Sequence, residues 1–285
     1  MPKYWLAFFQ LAKQAAIKWN ADNCLRLGAS LSYYTIFSLF PLILVILGVI
    51  QLLLNNSDTA RAAILDSLSR VTGGFRDEFV ETLQVVQQSR RASGIIGAIT
   101  LLLGASWVFG ELVSAFNIIW GVQAPESGGP MQFLRATLFS FALVLAAAFL
   151  LLVSMIVSAV LTALGAILAA LSGGALLWSI VSALINLLVL ALIFALLLKY
   201  LPQTYVAWGD VWLGAALTAL LWSLLQNAIA YYIALSSYRN YGAIGAILAL
   251  VAWVYLSSQV LFLGGEFTAV YAQRYGSRRH MESTD

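Results

Sequence analysis

Charge is scarce in this chain. Asp, Glu, Lys and Arg make up 9% of its 285 residues, while 62% are hydrophobic; an ordinary soluble domain carries roughly 25% charged residues. That imbalance excludes a soluble globular protein. There is one cysteine, Cys24, and one histidine, His280. A lone cysteine rules out an intrachain disulfide framework, and Cys24 reads as a small buried or interfacial residue. A single histidine in the C-terminal tail cannot supply the ligand shell of a hydrolytic metallonuclease. A phosphate loop is also missing, because Gly173 and Gly174 lack the Lys and the Ser or Thr that should follow. The chain is therefore expected not to be an enzyme and to need no cofactor. The short alternating segments of a barrel are absent, the apolar runs being continuous. No cleavable leader is expected, since the first long run begins near Gly28 and no small-residue cleavage site accompanies it.

What is abundant is apolar sequence in lengths that suit a bilayer. The runs predict an all-α polytopic membrane protein with six spans over residues 28–54, 94–120, 134–171, 175–200, 210–235 and 242–272. The third is too long for an upright crossing at 1.5 Å per residue, so it must tilt, kink or project outside. Basic residues set the orientation. Lys3, Lys13, Lys18, Arg26, Arg135, Lys199, Arg274, Arg278 and Arg279 collect on one side, whereas the short loops opposite hold only Arg239. The positive-inside rule places both termini in the cytoplasm. Three regions follow: an interfacial amphipathic helix over 1–27, a transmembrane domain over 28–272 and a basic cytoplasmic tail over 273–285. In the first, Trp5, Phe8, Phe9, Ala12, Ala16 and Trp19 oppose Lys3, Gln10, Lys13 and Lys18, the pattern of a helix lying at headgroup depth. Within the second, residues 55–93 mix both signs of charge around the Gly73–Gly74 break and predict an external helical hairpin between spans one and two.

Candidate functional residues are the polar groups inside these runs. Glu111 and Glu266 stand out, because a carboxylate at bilayer depth costs roughly 2.5 to 3.5 kcal/mol on insertion scales and marks a functional site by default. Around them the sequence places Tyr33, Tyr34 and Ser38 in the first span, Asn117 in the second, Gln226, Asn227 and Tyr231 in the fifth, and Tyr255 and Gln259 in the sixth. Arg26 is a candidate ion-pair partner for either acid. Together they predict a polar cavity open to the cytoplasm, against the alternative that such side chains only bind helices together at about 0.6 kcal/mol each. Pro41 is expected to kink the first span by removing a backbone donor, with the Ser38 hydroxyl near enough to serve the freed carbonyl. Gly242 with Ala246, Gly245 with Ala249, Gly110 with Ser114 and Gly265 with Ala269 form small-xxx-small pairs suited to close helix contact.

Three stretches also carry a family likeness: LGASLSYYTIFSLFPLIL over 27–44, LPQTYVAWGDVWLGA over 201–215 and WVYLSSQVLFLGGEFTAV over 253–270. With them the chain resembles, over nearly its whole length, the YihY/BrkB family of bacterial inner-membrane proteins, once labelled ribonuclease BN. The resemblance implies six helices, an inner-membrane location, and Tyr33, Tyr34, Pro41 and Glu266 as family marks. It brings envelope function but no settled activity. Three readings stand: a transporter or flippase for a lipid-like or envelope-related substrate; a non-transporting scaffold or regulator of envelope biogenesis; and a proton-coupled small-solute or ion carrier using Glu111 or Glu266 as its proton site. The partners expected are membrane lipids, with envelope proteins and a second copy of the chain as further classes, and no nucleic acid.

Overall fold

The computed structural model describes residues 2–53, 107–122, 174–235 and 242–279, together with the helical residues Val153, Val160 and Gly165. The regular elements among them are all α-helices: α1 (Pro2–Ala21), α2 (Cys24–Leu53), α3 (Trp107–Ile119), α4 (Gly174–Tyr200), α5 (Trp208–Leu235) and α6 (Gly242–Arg274). Trp178–Tyr200, Trp208–Ile229 and Ile247–Arg274 are long and apolar enough to cross a membrane. The external hairpin over 55–93 and most of the third span lie outside the described residues.

Local chemistry explains the helix ends. Asn23 takes a left-handed φ of 54° between α1 and α2, a conformation Asn tolerates because its short side chain can bond locally; here Nδ2 donates to the Ala21 carbonyl at 3.2 Å. Gly121, at φ 63°, ends α3 in the same way, and the Val122 amide reaches back to the Asn117 carbonyl at 2.8 Å. Lys199 closes α4 by donating to the Val206 carbonyl at 2.8 Å.

The chain divides into two compact units. The first comprises Met1–Leu27, Phe109–Gln226 and Ser257–Asp285; the second comprises Gly28–Val108 and Asn227–Leu256. In the first, Leu11 and Ala15 of α1 pack on Phe267 and Val270 of α6, with Ala12, Leu217 and Tyr271 around them. The Phe8 ring lies 5.6 Å from that of Phe267. The helical stripe that seats α1 is thus Phe8, Leu11, Ala12 and Ala15, while Phe9 and Ala16, expected on the same apolar side, are exposed. Leu6, Phe9 and Ile17 form a second apolar face open to the surroundings. Both faces belong to the helix that the sequence reads as amphipathic and interfacial.

A reciprocal fit joins α5 to α6. Gly214 faces Thr268, and Gly264 faces Thr218; a methyl group on either glycine would run into the opposing hydroxyl. Each threonine hydroxyl donates to its own helix, Thr218 to the Gly214 carbonyl and Thr268 to the Gly264 carbonyl, both at 2.7 Å, so no polar atom is stranded in the contact. The neighbouring Gly265 faces α3, where an added Cβ would stand 3.0 Å from Phe116 Cε1. Of the small residues singled out from sequence, Gly265 therefore marks an interface, whereas Gly110 has nothing within 4 Å of an added Cβ.

In the second unit α2 runs unbroken through Pro41, whose side chain lies outside the described ones, as does the test of its kink. The Ser38 hydroxyl donates to the Thr35 carbonyl at 2.8 Å rather than to the Phe37 carbonyl that the proline leaves without a donor.

Candidate functional site

Glu266 is wholly buried, at 0% exposure, on α6. The glycine pair before it explains how a carboxylate comes to be so enclosed: Gly264 and Gly265 let α5 and α3 close against α6 one turn or less from its side chain. Its oxygen Oε1 accepts from the Cys24 thiol, 3.9 Å away at the first residue of α2. Its other oxygen, Oε2, is buried with no donor. Two charged groups act on it from the N-terminal region, Asp22 in the α1–α2 turn and Lys18 one helical turn earlier. The Lys18 ammonium donates to Gln273 Oε1 at 3.1 Å, which holds it at the C-terminal end of α6.

Other buried polar atoms also lack partners, among them Trp120 Nε1 after α3. Gln259, two turns before Glu266, donates through Nε2 to the Cys24 carbonyl at 3.3 Å; its Oε1 has no donor, and Trp19 Nε1 and Ser257 Oγ are likewise buried without partners. Each such group costs about 1 to 3 kcal/mol relative to being bonded, and each calls for an explanation. The Cys24 thiol is pushed up to about 12, first by burial and then by the charges of Glu266 and Asp22 and the hydrogen bond to Glu266. It is a neutral S–H donor, not a nucleophile.

The other predicted site residues have separate settings. Arg26, the expected partner for the buried acids, is exposed; the cation acting on Glu266 is Lys18. Glu111 is half-buried on α3 and is not among the groups acting on Glu266. Asn117 is fully engaged: its Nδ2 donates to Gln203 Oε1, and its Oδ1 accepts from the Gln203 amide, both at 3.0 Å. That reciprocal pair fastens the α4–α5 loop to α3. Gln226 is exposed on α5. Tyr33, Tyr34, Ser38, Asn227, Tyr231 and Tyr255 belong to the second unit, where Tyr33 is exposed and stacks with Phe37 at 4.7 Å and edge-on with Tyr34 at 5.7 Å. Tyr34 and Tyr255 are half-buried, and Asn227 and Tyr231 are exposed.

Sequence reasoning missed Asp22 and Cys24 as members of the site because both precede the first apolar run. A signal was present: Asp22 follows Lys18 by four residues and adjoins an Asn, a combination that places a charge pair at a helix-ending turn. It also missed a structural clamp at the far end of α6. Arg278 donates to the Trp120 carbonyl at 3.3 Å and to the Thr204 hydroxyl, its guanidinium resting 5.1 Å from the Trp120 ring. Beside it, buried Asp210 accepts from the Ser277 amide and from the Ser277 hydroxyl, the latter at 2.6 Å.

A helical membrane protein with a sequestered carboxylate is the class that this fold and site define. The family described as virulence factor BrkB matches residues 15–285, and the chain belongs to it. Relatives include a UPF0761 membrane protein of Teredinibacter turnerae, 26% identical over 94% of this chain and 62% of its own length. A ribonuclease-like protein of Bacillus subtilis, YfkH, is 25% identical over 87% of this chain and 90% of its own. A UPF0761 membrane protein of Tolumonas auensis is 42% identical, over 26% of each chain. The chain thus spans about three-fifths of the Teredinibacter relative and a quarter of the Tolumonas one. No solved structure matches. The location follows from family and helices together: a multi-pass protein of the inner membrane.

Proposed function

We propose that this protein moves a lipid-like or envelope-related molecule across the inner membrane, with the buried polar cluster at Glu266 as its working site, in a six-span body whose termini both lie in the cytoplasm. The observation that carries this reading is the Glu266 carboxylate itself: fully enclosed by apolar helices, with one oxygen lacking a donor. A side chain as expensive as this in a membrane helix is retained where something docks beside it, and apolar glue was available at lower cost. On its face turned away from α6, α1 presents Leu6, Phe9 and Ile17 to the surroundings, an apolar surface along which an acyl chain can lie. The chemistry is that of an amphiphile with a hydrogen-bonding head.

The test is movement of a fluorescent phospholipid between leaflets of proteoliposomes, followed by quenching of the outer leaflet. Wild-type protein is expected to accelerate exchange, and Glu266→Gln to cut the rate at least tenfold while folding normally. Vesicles that exchange lipid no faster with protein than without it would replace this reading by that of a non-transporting scaffold or regulator of envelope biogenesis.

A further inference from the structure

The span Trp178–Tyr200 ends, and the span Trp208–Ile229 begins, on either side of one short loop, and a cation ringed by aromatic side chains sits there. The half-buried Lys199 ammonium spends one N–H on the Val206 carbonyl, at 2.8 Å. It lies 4.9 Å from the ring centre of Trp208 and 5.7 Å from those of Tyr200 and Tyr205. An ammonium has three N–H donors, and no carboxylate meets this one among the described residues. Asp210, the acid in the first turn of α5, is buried and held by Ser277. The rings face outward. Tyr205 is 77% exposed, and Tyr200, Trp208 and Trp212 are exposed as well; none of the four has a side-chain hydrogen bond among the described residues. The loop that carries Tyr205 is pinned from within: Leu201 and Val206 are buried, Gln203 pairs with Asn117, and Arg278 donates to Thr204. The cluster is thus presented to the surroundings on a fixed support.

Rings that are apolar in body and polar at one edge suit the depth at which a helix leaves hydrocarbon for head groups. A cation at that depth with unspent donors and no acid of its own is matched by an anion, and the anion met there is a lipid phosphate. We infer that Lys199, Tyr200, Tyr205 and Trp208 form a binding site for the head group of an anionic phospholipid, the ammonium taking the phosphate and the exposed rings flanking the glycerol and the upper acyl chain. Charge selects the lipid class. A zwitterionic head group brings a second cation to a place where no acid is free to receive it, and the aromatic faces that could hold a choline are already turned on Lys199. The site uses no atom of Glu266, so it stands apart from the transport reading.

The experiment reads lipid retention at rest, so it can fail or succeed independently of the flipping assay. Full-length protein in detergent micelles is mixed with phosphatidylglycerol or with phosphatidylcholine of the same acyl chains, and the lipids retained are counted by native mass spectrometry. Wild type is expected to retain phosphatidylglycerol in preference. Lys199→Met is expected to cut that preference about fivefold, the worth of one lysine at a charged lipid surface, and Lys199→Arg, which keeps the charge, to preserve it. Tyr205→Ala removes an exposed ring and is expected to weaken phosphatidylglycerol retention about threefold; should Lys199→Met fail to fold, this variant decides. Equal retention of the two lipids by wild type overturns the proposal, as does a preference that Lys199→Met leaves intact. Displacement of phosphatidylglycerol by glycerol phosphate at equal concentration would make this a site for a soluble anion and overturn the lipid assignment.

Discussion

A thiol with no exposed surface and a carboxylate for a neighbour is a poor nucleophile. Cys24 holds its proton up to about 12 against an ordinary 9.0, so at pH 8.5 it carries roughly 1,000-fold less thiolate than a free cysteine. Iodoacetamide or maleimide is therefore expected to leave the folded protein unlabelled over hours at that pH and to label it rapidly in denaturant, as intact mass will show. Because the folded value lies above the unfolded one, the thiol's contribution to stability is complete below pH 9 and is lost as pH rises from there towards 12. What the sequence revealed at this scale follows from cost. Glu266 was legible because an acid in an apolar run has no cheap explanation. Asp22 and Lys18 were not, because charges at a polar turn are ordinary, and only folding brings them to a residue more than two hundred positions later.

Helices were the most legible feature, since long apolar runs leave the backbone no other way to satisfy itself in a bilayer. Their contacts were harder to read. The α5–α6 fit rests on Gly214 and Gly264, each followed four residues on by a threonine, small-xxx-small spacings that the pairs singled out above do not include. The fit makes a measurable claim. Gly214→Ala is expected to destabilise the protein by about 1 to 3 kcal/mol through overpacking against Thr268, seen as a lower Tm in detergent. Adding Thr268→Ala should restore most of the loss, because the two side chains meet directly and their effects cannot be additive. If the double variant is as unstable as the sum of the single ones, the geometry assigned to this interface is wrong.

Within the first unit, distant parts of the chain are fastened by a few polar contacts at the C-terminal end of α6. Arg274 reaches Gln10 and Gln14 of α1, both at 3.3 Å, and Arg278 holds Trp120 and Thr204. From sequence these basic residues read as scattered topogenic charges; Arg274 and Arg278 also fasten the fold. Arg278→Ala is expected to cost about 1.5 to 3 kcal/mol, the usual worth of hydrogen bonds to a charged group, whereas Arg279→Ala, at an exposed position without such bonds, should leave thermal unfolding unchanged. Equal effects from the two would show that charge alone, and not the bonds of Arg278, matters there.

The seating of α1 on α6 has a consequence for biogenesis. Lys18 finds its acceptor, Gln273, 255 residues later in the chain, and Leu11 and Ala15 find their apolar bed in Phe267 and Val270. During synthesis the first helix must therefore wait, undocked, until α6 has emerged. A nascent chain halted before α6 leaves the apolar stripe of α1 without its bed.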